Sequence, residues 1–399
     1  MVSKELFYTM LSQKLSKITA SATFAMKAKA QELKRQGKSI VSLTIGEPDF
    51  DVPEHIKLAA KKAIDDGFNK YTDTGGLYEL KEAIVRKFKR DNNIEYQINE
   101  IMATAGGKQA LYNIFQAILN PGDEVILPEP FWVSYVEQIK LADGLPVVIN
   151  TIPNNFKLTA DLVEKAISPR TKALVLCSPS NPTGTVVDNQ EIQKIAQLAI
   201  KHNFYVVSDE VYEFLYFTNH KPLSIASLSK EICDLTLTVN AVSKTFSMTG
   251  WRLGFVGANA VIIKLMDNLQ SHTTSNPNII AQKAAIEGLN GDLKCVHGMR
   301  DAFKIRRDFL EKEMKKIANF SFAPMDGSFY AFINVGYYYN EKINNSDEFC
   351  LDLLAKTGLA LTPGSAFGPS CDNFVRMSYA SKMEELEEGM KRLREYLKI

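Results

Sequence analysis

Ala173-Leu174-Val175-Leu176-Cys177-Ser178-Pro179-Ser180-Asn181-Pro182-Thr183-Gly184 is the stretch that decides the fold. Its first five residues are apolar without a break, the pattern of a strand covered on both faces. Two prolines and a glycine then end the run in a turn. Short apolar runs of the same kind occur at residues 101–104, 124–127, 146–149, 205–208 and 235–239. Helical patterns separate several of them, at 53–66, 79–90 and 109–119. This alternation predicts a mostly parallel α/β sheet with helices on its faces.

Outward from that sheet, residues 1–18 read as a helical or loosely ordered arm. A helix is expected at 25–36, ended by Gly37, then a short strand at 40–43 before the turn Gly46-Glu47-Pro48-Asp49. On the C-terminal side, one long helical stretch at 278–316 leads into strands at 328–335, 359–363 and 374–377. An amphipathic helix at 383–398 closes the chain. A boundary is expected near residue 290, with no repeats and no low-complexity tract.

The whole chain constrains function mainly by exclusion. Its 399 residues are 45% hydrophobic and 23% charged, the composition of a globular protein with a substantial core. A formal charge of +1 gives no electrostatic reason for binding nucleic acid or an anionic membrane. The five cysteines are scattered and form no C-x-x-C pair, which argues for a reducing compartment and against a zinc knuckle. No apolar signal segment and no membrane-spanning run is evident, so a cytoplasmic location is expected. The five histidines show no close pairing, so no metal site is expected.

Polar groups that follow the expected strands are candidates for chemistry, because open α/β sheets bind ligands beyond the carboxyl ends of their strands. Asn181 stands in the proline turn, where an ordinary Asn-Pro turn would look the same. Asp209 ends the run 205–208; a buried carboxylate needs a partner there, although a helix N-cap is an equally simple role. Gly106-Gly107-Lys108 opens a helix and offers backbone N–H groups to an anion, but the spacing is not that of a Walker A loop. Lys244 follows a β-branched run and sits in Ser243-Lys244-Thr245-Phe246-Ser247, with Arg252 eight residues on. An amine for a carbonyl, with hydroxyls and a guanidinium for a phosphate, would be arranged in this way; a solvated loop lysine is the plainer reading. Trp132 offers a flat face, or simply core. Arg376, flanked by Val375 and Met377, needs an anion inside an apolar strand.

Taken in order, these segments resemble the pyridoxal-phosphate enzymes of fold type I, and among them the class I aminotransferases of the bacterial aspartate aminotransferase type. The resemblance runs from about Ser21 to the C-terminus and includes Gly46-Glu47-Pro48-Asp49-Phe50, Tyr71, Trp132-Val133-Ser134-Tyr135 and Ser208-Asp209-Glu210-Val211-Tyr212. It implies a large domain over 51–289, with a mostly parallel seven-stranded sheet sandwiched by helices, and a smaller α+β domain from 19–50 and 290–399. It also implies pyridoxal 5'-phosphate as cofactor, held covalently by Lys244. Asp209 would pair with the ring nitrogen, Asn181 and Tyr212 with the ring hydroxyl, and Trp132 would stack on the ring. Gly107, Lys108, Ser243 and Arg252 would hold the phosphate, joined by Tyr71 from the second subunit of a homodimer. Gly46, Trp132, Asn181 and Arg376 would bind the substrate, Arg376 by its α-carboxylate. Lys108 and Thr23 resemble the groups that receive a distal carboxylate in this subgroup.

The expected reaction is therefore transfer of an amino group from aspartate or glutamate to 2-oxoglutarate or oxaloacetate, the cofactor alternating between its aldehyde and amine forms. Three other chemistries share the same core: dual aspartate/prephenate transamination, broader aromatic transamination, and β-elimination at a C–S bond. A regulator built on this fold would carry a DNA-binding module, and none is expected before Ser21. Thr19 and Ala20 stand where a basic residue and a proline usually precede the loop of prephenate-using members.

Overall fold

The computed structural model describes residues 11–19 and 22–399, without the side chains of residues 17, 22–24 and 27. Thirteen strands are numbered in chain order among the described residues: β1 Val41–Ser42, β2 Ile101–Thr104, β3 Glu124–Glu129, β4 Leu145–Asn150, β5 Thr171–Cys177, β6 Tyr205–Asp209, β7 Thr236–Ala241, β8 Gly254–Gly257, β9 Ser321–Phe322, β10 Tyr330–Asn334, β11 Leu359–Ala360, β12 Thr362–Pro363 and β13 Phe374–Ser378.

Seven of them form one sheet in the order β2-β8-β7-β6-β5-β3-β4. All neighbours run parallel except β8, which is antiparallel to both β2 and β7. Strands β2, β7 and β8 are buried at every residue, the burial of strands covered on both faces. Only β4, at the edge, alternates toward solvent. Because β8 reverses, the carboxyl ends of β2, β3, β5, β6 and β7 share one edge of the sheet, with the start of β8 among them. Registers Thr104↔Gly254 and Ala241↔Gly254 mark that edge.

A second layer comes from both ends of the chain. β1 pairs in parallel with β11, and Ser378 N donates to Leu43 O at 2.8 Å. β12, β13, β10 and β9 make an antiparallel sheet. One apolar core gathers Met26, Ala30 and Leu43 with residues from Met299 to Leu393. Separate clusters fill the two faces of the large sheet.

Several expected boundaries change. The long helix at 278–316 is two helices, Ile279–Asn290 and Lys294–Met314. Gly291 leaves the helical region, and Asp292 Oδ1 accepts the Lys294 N–H at 3.0 Å, starting the second helix afresh. The expected helix 79–90 is α-helical over Tyr78–Lys87, then widens into a π turn over Phe88–Asn92, stopped by left-handed Asn93. The strand at 40–43 shrinks to two residues, and the expected helix at 25–36 begins earlier, at Ala22–Arg35. Strand β8, unread in the sequence, lies inside the sheet between β2 and β7. Among the described residues no helix is long and apolar enough to cross a membrane.

Candidate active site

A cavity of about 500 Å³ opens at the strand-end edge, between the large sheet and β13. β2, β3, β5, β6 and β7 each contribute residues that follow them. The turn after β2 brings Gly107 and Lys108, that after β3 brings Trp132, and that after β5 brings Asn181. β6 ends on Asp209 and leads to Tyr212; β7 leads to Ser243 and Lys244; Arg252 stands just before β8. Gly46 and Arg376 close the cavity from the second layer.

Lys244 sits in one helical turn, Val242–Thr245, and is partly buried rather than a solvated loop residue. Its amine donates to Gly46 O. Burial pushes its pKa down to about 8; Arg252 and Arg376 add to the shift, and Glu47 and Asp209 oppose it. A lysine so placed holds a sizeable neutral, nucleophilic fraction near neutral pH.

Asp209 is 4% exposed, and burial raises its pKa. The Tyr135 hydroxyl donates to Oδ2 at 2.5 Å and the Val211 N–H to Oδ1 at 3.4 Å, both favouring the carboxylate. Asp209 is followed by a turn, not a helix, so the N-cap role is set aside. Tyr212 shares a 3.1 Å hydrogen bond with the Tyr330 hydroxyl.

Arg376 lies in β13, buried as the apolar run predicts. Nη1 donates to Asn181 Oδ1 at 2.9 Å and Nη2 to Thr44 O at 2.7 Å. The guanidinium stacks between Tyr330 and Phe367, at 4.4 and 4.9 Å from their ring centres. Among the described residues its Nε has no hydrogen-bond partner, and the two acceptors, an amide and a backbone carbonyl oxygen, are both uncharged. A buried cation held only by neutral acceptors is prepared for an anion.

The opposite end of the cavity is cationic. The helix Gly107–Ile118 begins there, after Gly106 at φ +86°. Gly106 is required twice over: by that left-handed backbone and by Arg252 Nη2, which would lie 2.5 Å from a Cβ. Arg252 itself takes φ +57° and is fixed by Thr249 O at 2.8 Å and Ala105 O at 3.4 Å. Lys108 Nζ stands 4.9 Å from the Trp132 ring centre, its pKa lowered by burial and then by Arg252. A helix N-terminus, an arginine and the Ser243 hydroxyl are groups that can receive an anion.

The structure thus gathers Gly46, Gly107, Lys108, Trp132, Asn181, Asp209, Tyr212, Ser243, Lys244, Arg252 and Arg376 around one space. Tyr71 does not line it in the single chain and is 89% exposed. The Thr23 side chain lies outside the described residues. Sequence reasoning gave no role to Tyr135, Tyr330, Glu47 or the Thr44 carbonyl. Tyr330 is visible only as one apolar position in a strand; it matters because its hydroxyl meets that of Tyr212 and its ring lies against Arg376.

A profile described as aminotransferase class I and II matches residues 38–393. The chain belongs to that family. It is 44% identical over 391 residues to the aspartate aminotransferase of Bacillus sp. (strain YM-2), covering 98% of this chain and 99% of that one. It is 43% identical over 392 residues to the aspartate/prephenate aminotransferase of Nitrosomonas europaea, covering 96% and 98%. Among solved structures, the aspartate aminotransferase of Thermus thermophilus with maleate superposes with a TM-score of 0.91 at 40% identity, covering 96% of this chain and 99% of that one. The seven-stranded, mostly parallel α/β architecture is that of these aminotransferases, and the chain is an enzyme of this kind.

Proposed function

We propose that this aminotransferase takes the amino group from aspartate or glutamate and gives it to 2-oxoglutarate or oxaloacetate, with pyridoxal 5'-phosphate as its cofactor. The observation that carries the reading is one cavity holding three matched parts: a lysine with pKa about 8, a buried carboxylate, and a buried arginine without a carboxylate. The donor set fits the cofactor end to end. Gly107, Lys108, Ser243 and Arg252 suit its phosphate, Asp209 its ring nitrogen, Asn181 and Tyr212 its ring hydroxyl, and Trp132 a ring face. Bound there, the cofactor supplies an aldehyde for amines and an electron sink.

The chain's own residues do the rest. Arg376 binds and orients the donor's α-carboxylate, with Asn181 and Gly46 beside it. The Lys244 amine, beside the donor's Cα, would accept and return the proton that leaves it. Tyr135 and Val211 favour the ionised form of Asp209, opposing the effect of its burial. Lys108, with Thr23, receives the distal carboxylate of a dicarboxylic donor, which is what favours aspartate and glutamate.

A homodimer in the cytoplasm completes this reading. The exposure of Tyr71 supports its reaching the phosphate site of a second copy. Residues 19–50 and 290–399 act as the small domain on a large domain of 51–289, and closing the small domain would expel water; residues 1–10 of the expected arm lie outside the described residues. A second activity toward prephenate has a specific argument, since relatives from Nitrosomonas europaea and Rickettsia bellii carry that substrate in their names. Thr19 and Ala20 argue against it.

The test is a panel of amino donors with 2-oxoglutarate and oxaloacetate, run with and without prephenate. Aspartate and glutamate are expected to lead. Aromatic donors leading, or pyruvate and ammonia released from a cysteine-type thioether, would replace this reading by the aromatic aminotransferase or the C–S lyase.

A further inference from the structure

A second buried polar cluster adjoins the cavity without lining it. Glu213, 4% exposed, accepts from Lys87 Nζ at 2.5 Å and from Asn240 Nδ2 at 2.7 Å on Oε1. Asn92 Nδ2 bridges two carboxylates, donating to Glu213 Oε2 at 2.8 Å and Glu210 Oε2 at 2.9 Å. The Ser208 and Ser224 hydroxyls, at 2.9 and 2.6 Å, take the other oxygen of Glu210. Lys87 donates also to Asn92 Oδ1 and faces Asp91 at 3.7 Å.

Charge buried in this way adds little stability over well-packed apolar side chains, so it calls for another account. The chain positions supply one. Glu210 directly follows Asp209, and Glu213 directly follows Tyr212. Asn240 is the penultimate residue of β7, and Ser243 and Lys244 come right after that strand. The Glu210 N–H also donates to Val239 O at 2.9 Å, joining the same two strand ends. The π turn Phe88–Asn92 is what swings Asn92 and Asp91 into the cluster beside Lys87.

We propose that Glu213, clamped by Lys87 and Asn92, is a positioning residue that sets the spacing between Asp209 and Lys244 through its bond to Asn240. The inference rests on the roles given to Asp209 and Lys244 under the proposed function. Glu213 touches neither cofactor nor substrate; it acts by locking the turn after β6 to the end of β7.

The test compares cofactor-loaded wild type with Glu213→Gln and Asn240→Leu, reading kcat, KM for aspartate, melting temperature, and the pH midpoint of the cofactor's visible absorbance change. Misplacement of reacting groups is costly, so kcat is expected to fall about 10- to 100-fold. KM should move less than about three-fold, because Arg376 is untouched, and the absorbance midpoint should shift in both variants. Asn240→Leu leaves the Lys87–Glu213 pair intact and decides the matter alone if Glu213→Gln does not fold. Unchanged kcat and midpoint, with only a lower melting temperature, would overturn the positioning role while leaving the functional reading in place. A wild type that takes up no pyridoxal phosphate would instead overturn the functional reading, and this inference with it.

Discussion

Replacing Tyr135 by phenylalanine removes one hydroxyl from a buried, well-packed place. That hydroxyl donates to Asp209 Oδ2 at 2.5 Å, and both residues are nearly inaccessible, at 2% and 4% exposure. The remaining donor, the Val211 N–H, is long at 3.4 Å. A hydrogen bond to a charged group contributes about 1.5–3 kcal/mol. Its loss should raise the Asp209 pKa further than burial already does. The sign follows from the direction. A raised carboxyl pKa means fewer carboxylates at a given pH, so cofactor affinity and kcat/KM should lose their acid side at higher pH than in wild type. The folded protein also holds its proton longer than the unfolded chain, so stability falls as pH rises from about 4 through the folded-state pKa, and it falls further in the variant. Titrating the apoprotein with pyridoxal phosphate across the acid-to-neutral range, by fluorescence quenching, should give a Kd about 10- to 100-fold weaker. Affinity and acid limb coinciding with wild type within about two-fold would refute the claim that Tyr135 supports Asp209.

Three further outcomes are expected. Lys108→Ala should lower kcat/KM for aspartate and glutamate about 10- to 100-fold, the loss of one charge-assisted hydrogen bond, and leave aromatic donors nearly unchanged; steady-state kinetics on both donor classes check it, and an equal loss across them would remove Lys108 from substrate selection. The rate at which apoprotein condenses with the cofactor aldehyde should rise with pH through a midpoint near 8, because burial lowers the Lys244 pKa to about 8; stopped-flow absorbance should find no such midpoint in Lys244→Ala, and a wild-type midpoint near 10.5, the ordinary lysine value, would contradict it. Arg376→Lys keeps the charge but not the planar fork held between Tyr330 and Phe367. Donor KM should rise about 10- to 100-fold with cofactor affinity intact, and an unchanged KM would mean that the α-carboxylate binds elsewhere.

The strands of the large sheet were legible wherever apolar runs ended in turn residues, which is why most candidate groups could be placed just after a strand. β8 was not. Its Gly254-Phe255-Val256-Gly257 has poor strand propensity, and both glycines answer to neighbours far away in the chain: a Cβ on Gly254 would strike the Gly107 backbone, and one on Gly257 the Tyr96 ring. Close packing outweighed local preference. Arg376 was legible because a lone guanidinium in an apolar run demands an anion. Tyr135 and Tyr330 were not, because a tyrosine among apolar residues shows nothing of what its hydroxyl meets across 74 or 118 positions of chain. The cluster of Lys87, Asn92, Glu210, Glu213 and Asn240 was hidden for the same reason: its members are scattered along the chain, and only the π turn and two strand ends bring them together.

The central claim is that Lys244 is the amine that bonds the cofactor. Protein loaded with pyridoxal phosphate, reduced with borohydride, digested and mapped by mass spectrometry tests it without reference to any substrate. One stoichiometric adduct is expected, on the peptide containing Ser243-Lys244-Thr245. An adduct on Lys108 or another lysine instead, or none on a protein that still transaminates, would contradict it.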